Sequence, residues 1–154
     1  MKIIIINGPN LNMLGIREKN IYGRQTYADL IQMIEEEADR EKIEVICRQS
    51  NHEGDLVDWI QEAYFQKYDG IVINPGAYTH TSIALADAVK AIAPLPVVEV
   101  HISDISTRED FRKISYEAPY CIRQIKGMGF NGYIEAMHTI MDYVSNPVHP
   151  KGSL

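Results

Sequence analysis

Gly70-Ile71-Val72-Ile73-Asn74-Pro75-Gly76 is the stretch on which the fold turns. A short apolar run without alternation, closed by Asn-Pro-Gly, reads as a strand buried on both faces, the kind found in parallel sheets covered by helices. Working outward, residues 3–7, 44–49, 96–102 and 122–125 read as further strands. Between them Tyr27, Leu30, Ile31, Ile34 and Ala38 recur at helical spacing, predicting a helix over 26–41. Ser50 and Glu53 have capping-box spacing, ahead of a helical face of Leu56, Val57, Ile60 and Tyr64. Thr79 or Thr81 is placed to cap a helix running to Ile92, a short charged helix is expected over about 107–115, and Ile134, Met137, Ile140, Met141 and Val144 line a last one.

Five strands alternating with helices predict an α/β protein with three layers and a five-stranded parallel sheet. The short doubly wound form is flavodoxin-like, with strand order 2-1-3-4-5. At 154 residues one domain is the default, assigned here to 1–145. Residues 146–154, with Pro147, Pro150 and Gly152, are expected to be a disordered tail. About eighteen residues between Asn7 and Thr26 lack periodicity, and a loop that long in a compact domain is usually functional or disordered.

The net charge of -6 argues against non-specific nucleic-acid binding, although a local arginine cluster could still hold an anionic substrate. The apolar stretch at residues 3–6 is too short for a signal segment or a membrane span. Cys47 and Cys121, each in an apolar run read as a strand, are expected to be buried free thiols, and a reducing compartment such as the cytoplasm follows.

Ligands of an open α/β sheet bind beyond the carboxyl ends of the strands. There the chain carries Asn7, Asn10, Arg17 and Tyr22, then Asn51 and His52, then Asn74, Tyr78, Thr79 and His80, then Glu99, His101, Ser103, Arg108 and Arg112. Glu99 and His101, two apart on a strand, share a face. A carboxylate beside an imidazole fixes its tautomer and suits it to general-acid work, but a satisfied buried polar pair is the other reading. A tyrosine with an ordinary pKa of about 10 is a poor base unless a guanidinium favours its phenolate, so Tyr22 beside Arg17 is either a base or ring packing under the loop. Residues 74–82 turn from strand to helix with more hydrogen-bonding groups than a cap needs, and Gly76 is expected at positive φ.

Gly127-Met128-Gly129-Phe130-Asn131-Gly132 fits GxGxxG, but only twenty-two residues follow it, too few for the acidic residue at a next strand. It reads as a tight turn with close helix packing. No phosphate loop, nucleophile elbow or HExxH is present, the five histidines lack metal-ligand spacing, and His138 reads as an ordinary, partly exposed residue.

Taken in order, residues 6–15 with Arg17 and Tyr22-Gly23, then Gln49-Ser50-Asn51-His52-Glu53-Gly54, the 74–82 turn, Glu99-Val100-His101-Ile102-Ser103, Arg108-Glu109-Asp110-Phe111-Arg112 and the late glycine turn resemble the type II 3-dehydroquinases over about 2–143. The resemblance implies conversion of 3-dehydroquinate to 3-dehydroshikimate without metal or cofactor. It implies that Tyr22, held as phenolate by Arg17, takes the proton beside the ketone, that a water near Asn10 holds the enolate, and that His101, oriented by Glu99, protonates the leaving hydroxyl. Asn74, His80, Ile102, Ser103 and Arg112 match positions that hold substrate hydroxyls and carboxylate. Asp87 matches a residue that reaches a neighbouring subunit's site in a dodecamer, a tetramer of trimers. Lys19-Asn20 and Ser106-Thr107 depart from the commoner pattern. Two rivals are a flavin- or phosphate-binding module on the same fold and a Schiff-base enzyme, for which Lys126 is the candidate lysine.

Overall fold

Strands β1 (Lys2–Asn7), β3 (Gly70–Asn74) and β4 (Val97–His101) are buried along almost their whole length, as unalternating apolar runs require when both faces are covered. The computed structural model describes residues 1–16, 20 and 24–146. Edge strands β2 (Glu44–Gln49) and β5 (Arg123–Lys126) complete an all-parallel sheet in the order β2-β1-β3-β4-β5. On one face α1 (Tyr27–Glu41) and α4 (Asn131–Ser145) bury Leu30, Ile34, Tyr133, Met137 and Ile140 against Ile3, Ile5, Val72, Val98 and Val100. On the other, α2 (Glu53–Phe65) and α3 (Ile83–Ala91) bury Leu56, Ile60, Leu85 and Val89 against Ile4, Ile6, Ile71, Ile73 and Val97. Alternate residues of each strand thus feed two separate cores.

Several expectations need correction. Ser50 and Glu53 form no capping box. The Ser50 hydroxyl donates to Asp55 at 2.6 Å and accepts the His52 N–H at 3.0 Å, while α2 starts without a side-chain cap. The capping box belongs to Thr26 and Asp29 at the head of α1. Ser82, not Thr79 or Thr81, caps α3 by accepting the Leu85 N–H. Residues 107–115 form no helix but flank a 3-10 turn, Asp110–Arg112, which follows another at Ile105–Thr107. Asp104 accepts the Ser106 N–H and tightens the first of these, and the apolar Phe111 and Ile114 stay exposed, so no face is buried to hold a longer helix. Cys121 ends the 3-10 turn Ala118–Tyr120 and lies just outside β5. Both thiols are half-buried and free, and burial pushes Cys47 up to about 12 and Cys121 upward as well. Among the described residues, no helix is long and apolar enough to cross a membrane. Of the expected tail at 146–154, Asn146 closes α4 with its N–H on Asp142 O, and residues 147–154 lie outside the described residues.

His138 has a more definite task than its sequence context suggested. Its Nε2 lies 2.7 Å from Oε1 of the buried Glu37, tying α4 to α1. That hydrogen bond, together with the charges of Glu37, Glu41 and Asp142, raises the His138 pKa. A raised histidine contributes stability below its ordinary value of about 6.5 and loses it as pH climbs through the raised one. The unfolding temperature of His138→Gln should therefore fall furthest below the parent's at acidic pH, with the gap closing as pH rises above neutrality.

The carboxyl ends of β1 and β3 interlock through two glycines. Gly8 N–H donates to Asn74 O at 2.8 Å, and a Cβ at Gly8 would lie 2.5 Å from Pro75 O. Gly76, at φ +60, packs on Pro9, where a Cβ would sit 3.0 Å from the carbonyl oxygen. Because backbone rather than flexible side chain blocks it, Gly8→Ala should cost about 1–3 kcal/mol in chemical denaturation, an overpacking penalty.

Candidate active site

The loops after β1, β3 and β4 enclose a cleft that is open to solvent. It lies beyond the carboxyl ends of the central strands, and β4 and its continuation supply His101, Ile102 and Ser103 to its wall. Pro9, Asn10, Leu11 and Leu14 close it from the β1 side, Asn74, Gly76, Ala77 and His80 from the β3 side, and Arg108 and Arg112 from the 3-10 turns after β4. Asparagine, histidine, serine and arginine side chains share its wall with apolar ones, which suits a polar small molecule. Leu14 serves as part of that wall.

Glu99 is fully buried and faces His101, whose Nε2 lies 3.3 Å from Glu99 Oε2 without the alignment of a full hydrogen bond. Glu99 Oε1 accepts the hydroxyl of Ser115 at 2.6 Å and lies 2.7 Å from Thr79 Oγ1, and Oε2 accepts the Gln124 amide. Burial alone would push this carboxyl up. The contacts with His101, Ser115 and Thr79 outweigh it and hold the group down to about 2, so Glu99 stays ionised. The period-two reading of Glu99 and His101 as one face is met: both are buried, His101 lines the cleft and Glu99 lies behind it. Thr79, Ser115 and Gln124 escaped notice because they approach Glu99 from 20, 16 and 25 residues away.

The His80 ring stacks 6.5 Å from that of His101. Its Nδ1 lies 2.7 Å from Ile114 O, and since a carbonyl only accepts, Nδ1 carries the hydrogen and a neutral ring keeps Nε2 as an acceptor. Burial lowers the His80 pKa, and the nearby His101 and Arg112 charges lower it further. Asn74 is anchored on both sides, donating to the Tyr133 hydroxyl at 2.9 Å and accepting the Gly76 N–H at 3.1 Å. One amide hydrogen of Asn74 is left for a ligand. Asn10 adopts the left-handed region at φ 68, where asparagine is one of the few tolerated residues, and its N–H donates to Asn51 Oδ1 at 3.0 Å. The Ile102 and Ser103 carbonyls accept from Gly129 and Gly127, which fixes the rim. Arg112 lies over the Phe111 ring, with its Nε 2.9 Å from Glu109.

Asp87 is exposed on α3 and does not line this cleft. Arg17 and Tyr22 lie outside the described residues. The GxGxxG segment is a packed turn. Gly127 and Gly129 take positive φ and spend their N–H groups on Ser103 O and Ile102 O, so those amides do not cradle a phosphate. Lys126 is exposed and does not line this cleft, so it is not the buried lysine a Schiff-base enzyme would need. Among the described residues, the carboxylate and imidazole groups close enough to share a cation are Glu37, Glu41 and His138, on α1 and α4 and outside the cleft.

The sequence profile of the family described as Dehydroquinase class II matches residues 1–141. The chain is 57% identical over 145 residues to a 3-dehydroquinate dehydratase of Fusobacterium nucleatum, covering 93% of this chain and 98% of that one. It is 54% identical over 146 residues to a 3-dehydroquinate dehydratase of Clostridium perfringens, covering 95% and 99% respectively. The crystal structure of a type II dehydroquinase from Butyrivibrio crossotus superposes with a TM-score of 0.90 at 56% identity, over 92% of this chain and 97% of that one. A type II dehydroquinase from Propionibacterium acnes superposes with a TM-score of 0.85 at 36% identity, over 94% and 97%. With its sheet order, its cleft and these matches in agreement, the chain belongs to the class II dehydroquinase family.

Proposed function

We propose that this chain is a hydro-lyase that dehydrates 3-dehydroquinate to 3-dehydroshikimate, a step of the shikimate pathway, and does so without metal or cofactor. The observation that carries the reading is the buried Glu99 set against His101, itself at the wall of a cleft, in a chain of this family. Tyr22, with Arg17 favouring its phenolate, removes the proton beside the ketone. A water near Asn10 holds the enolate oxygen. His101 then gives its proton to the departing hydroxyl, which leaves as water, and the electron pair of the enolate closes the conjugated double bond. Glu99 stabilises the imidazolium that makes this possible. His80 Nε2, the remaining Asn74 amide hydrogen and the Ser103 and Ile102 segment receive the substrate hydroxyls, and Arg112 pairs with the carboxylate. The same reading takes the chain to be a cytoplasmic dodecamer, a tetramer of trimers, in which Asp87 reaches a neighbour's cleft. Light scattering reads that assembly directly.

The reaction is tested by supplying 3-dehydroquinate to purified protein with a metal chelator present and following the ultraviolet absorbance of the conjugated enone. A rise supports the reading, and a flat trace from folded protein overturns it. Tyr22→Phe should lower kcat by at least about 10²-fold while substrate still binds, the loss expected of a missing general base. Full activity in that variant would remove Tyr22 from the role. Arg112→Ala should raise KM roughly 10- to 100-fold, the worth of a charged hydrogen bond, with kcat much less affected. An unchanged KM would sink the carboxylate assignment.

A further inference from the structure

Glu117 has no task in the reaction just described, yet its side chain is fully buried at the start of the 3-10 turn Ala118–Tyr120. Its Oε2 lies 2.9 Å from Thr79 Oγ1, and the same hydroxyl oxygen lies 2.7 Å from Glu99 Oε1. A threonine hydroxyl has one hydrogen and cannot donate to both carboxyls. Were both ionised, one of these short contacts would set oxygen against oxygen with no hydrogen between them, inside a buried site. One of the two carboxyls must therefore bring its own hydrogen.

The surroundings decide which. Glu99 receives the Ser115 hydroxyl and the Gln124 amide and faces the imidazole of His101. Glu117 has the Thr79 hydroxyl, its own backbone N–H and the neighbouring Ser115, whose hydrogen already lies on Glu99. Its Oε1 has no hydrogen-bond partner. The ionisable groups that press on it are Glu99 from β4 and Cys121 from the end of its own turn, and both would be negative when charged. Burial comes first among the causes that raise the Glu117 carboxyl from its ordinary 4.5 to about 8, with the Glu99 charge adding to it.

We propose that Glu117 is a positioning residue: as a carboxylic acid it donates to Thr79 Oγ1, which turns the Thr79 hydrogen onto Glu99 Oε1 and so holds the Glu99 carboxylate with Oε2 against His101. The chain Glu117–Thr79–Glu99–His101 runs from the protein interior to the cleft. Nothing in it exchanges a proton with substrate except His101. This rests on the assignment of His101 as the acid.

The test compares Glu117→Gln, whose amide still donates to Thr79 but cannot ionise, with Glu117→Leu and Thr79→Val, which break the chain. Glu117→Gln should keep kcat within about threefold of the parent, whereas the other two lose about tenfold or more with KM little changed: Thr79→Val takes a donor from Glu99, and Glu117→Leu leaves the buried Thr79 oxygen without the donor that fixes its rotation. Rescue by the amide and not by the apolar side chain would not follow from a purely space-filling role. The proton itself is read separately, from unfolding temperature against pH. In the parent the native state binds a proton that the unfolded chain lacks between 4.5 and about 8, so this group's contribution makes stability fall as pH rises through that window. Glu117→Gln should show a shallower fall. Parental kcat in Glu117→Leu, or equal losses in the Gln and Leu variants, would overturn the positioning role, and an unchanged slope in Glu117→Gln would overturn the proton. Should Glu117→Leu fail to fold, kcat and slope of the Gln variant decide. His101→Asn belongs in the same series: parental kcat there would remove the acid and the positioning role together, while the slope still reports the Glu117 proton.

Discussion

A carboxylate with no solvent contact has to be held charged by its neighbours, and Glu99 at the centre of this protein is such a group. An isolated ion there would be too costly to keep, and the protein would protonate it instead. The contacts from Thr79, Ser115, Gln124 and His101 prevent that, and they come from four separate parts of the chain. The turn after β3, the segment before Ala118, the edge strand β5 and β4 itself must all be in place before the charge is stable. The same contacts join the loops that make the cleft. Fold and site are therefore tied at one point. The imidazole that lines the cleft is backed by a charge that only the complete sheet can shelter.

The parallel sheet explains why the polar groups gather where they do. With all strands running one way, every strand ends at the same edge, and the residues that follow β1, β3 and β4 meet there. β1 and β3 approach closely enough that Gly8 and Gly76 cannot carry a Cβ, which brings Asn10 and Asn74 onto one wall. The Gly127 and Gly129 turn clamps the opposite rim through the carbonyls of Ile102 and Ser103. What resembles a nucleotide fingerprint in sequence thus works as a brace for the site.

Much of this was legible in the residues because it is local. The continuous apolar run of Gly70–Asn74 marked a doubly covered strand, and the two-residue spacing of Glu99 and His101 placed both on one face. Capping was less legible. Ser50, Thr79 and Thr81 all have cap-like side chains, but Ser50 is taken by Asp55, Thr79 by Glu99 and Glu117, and Ser82 caps α3 instead. Competition for one hydroxyl is settled by partners distant in sequence, which spacing does not reveal. Charge at 107–115 resembled a helix surface, yet no apolar stripe is buried beneath it, and the segment folds as separate turns. Glu117, in a polar stretch between a turn and a strand, carries nothing in its local sequence that announces complete burial.

The dependence of the site on the Glu99 charge is open to one direct measurement, the kcat and KM of Glu99→Gln with 3-dehydroquinate, made on protein shown by circular dichroism to be folded. The amide keeps the shape of the side chain and removes the charge that backs His101. A fall in kcat of about 10²-fold or more, with KM changed only a few-fold, is the predicted result, as for a general acid that has lost the group stabilising its charged form. A kcat equal to the parent's would contradict it, since the imidazole would then need no buried carboxylate behind it.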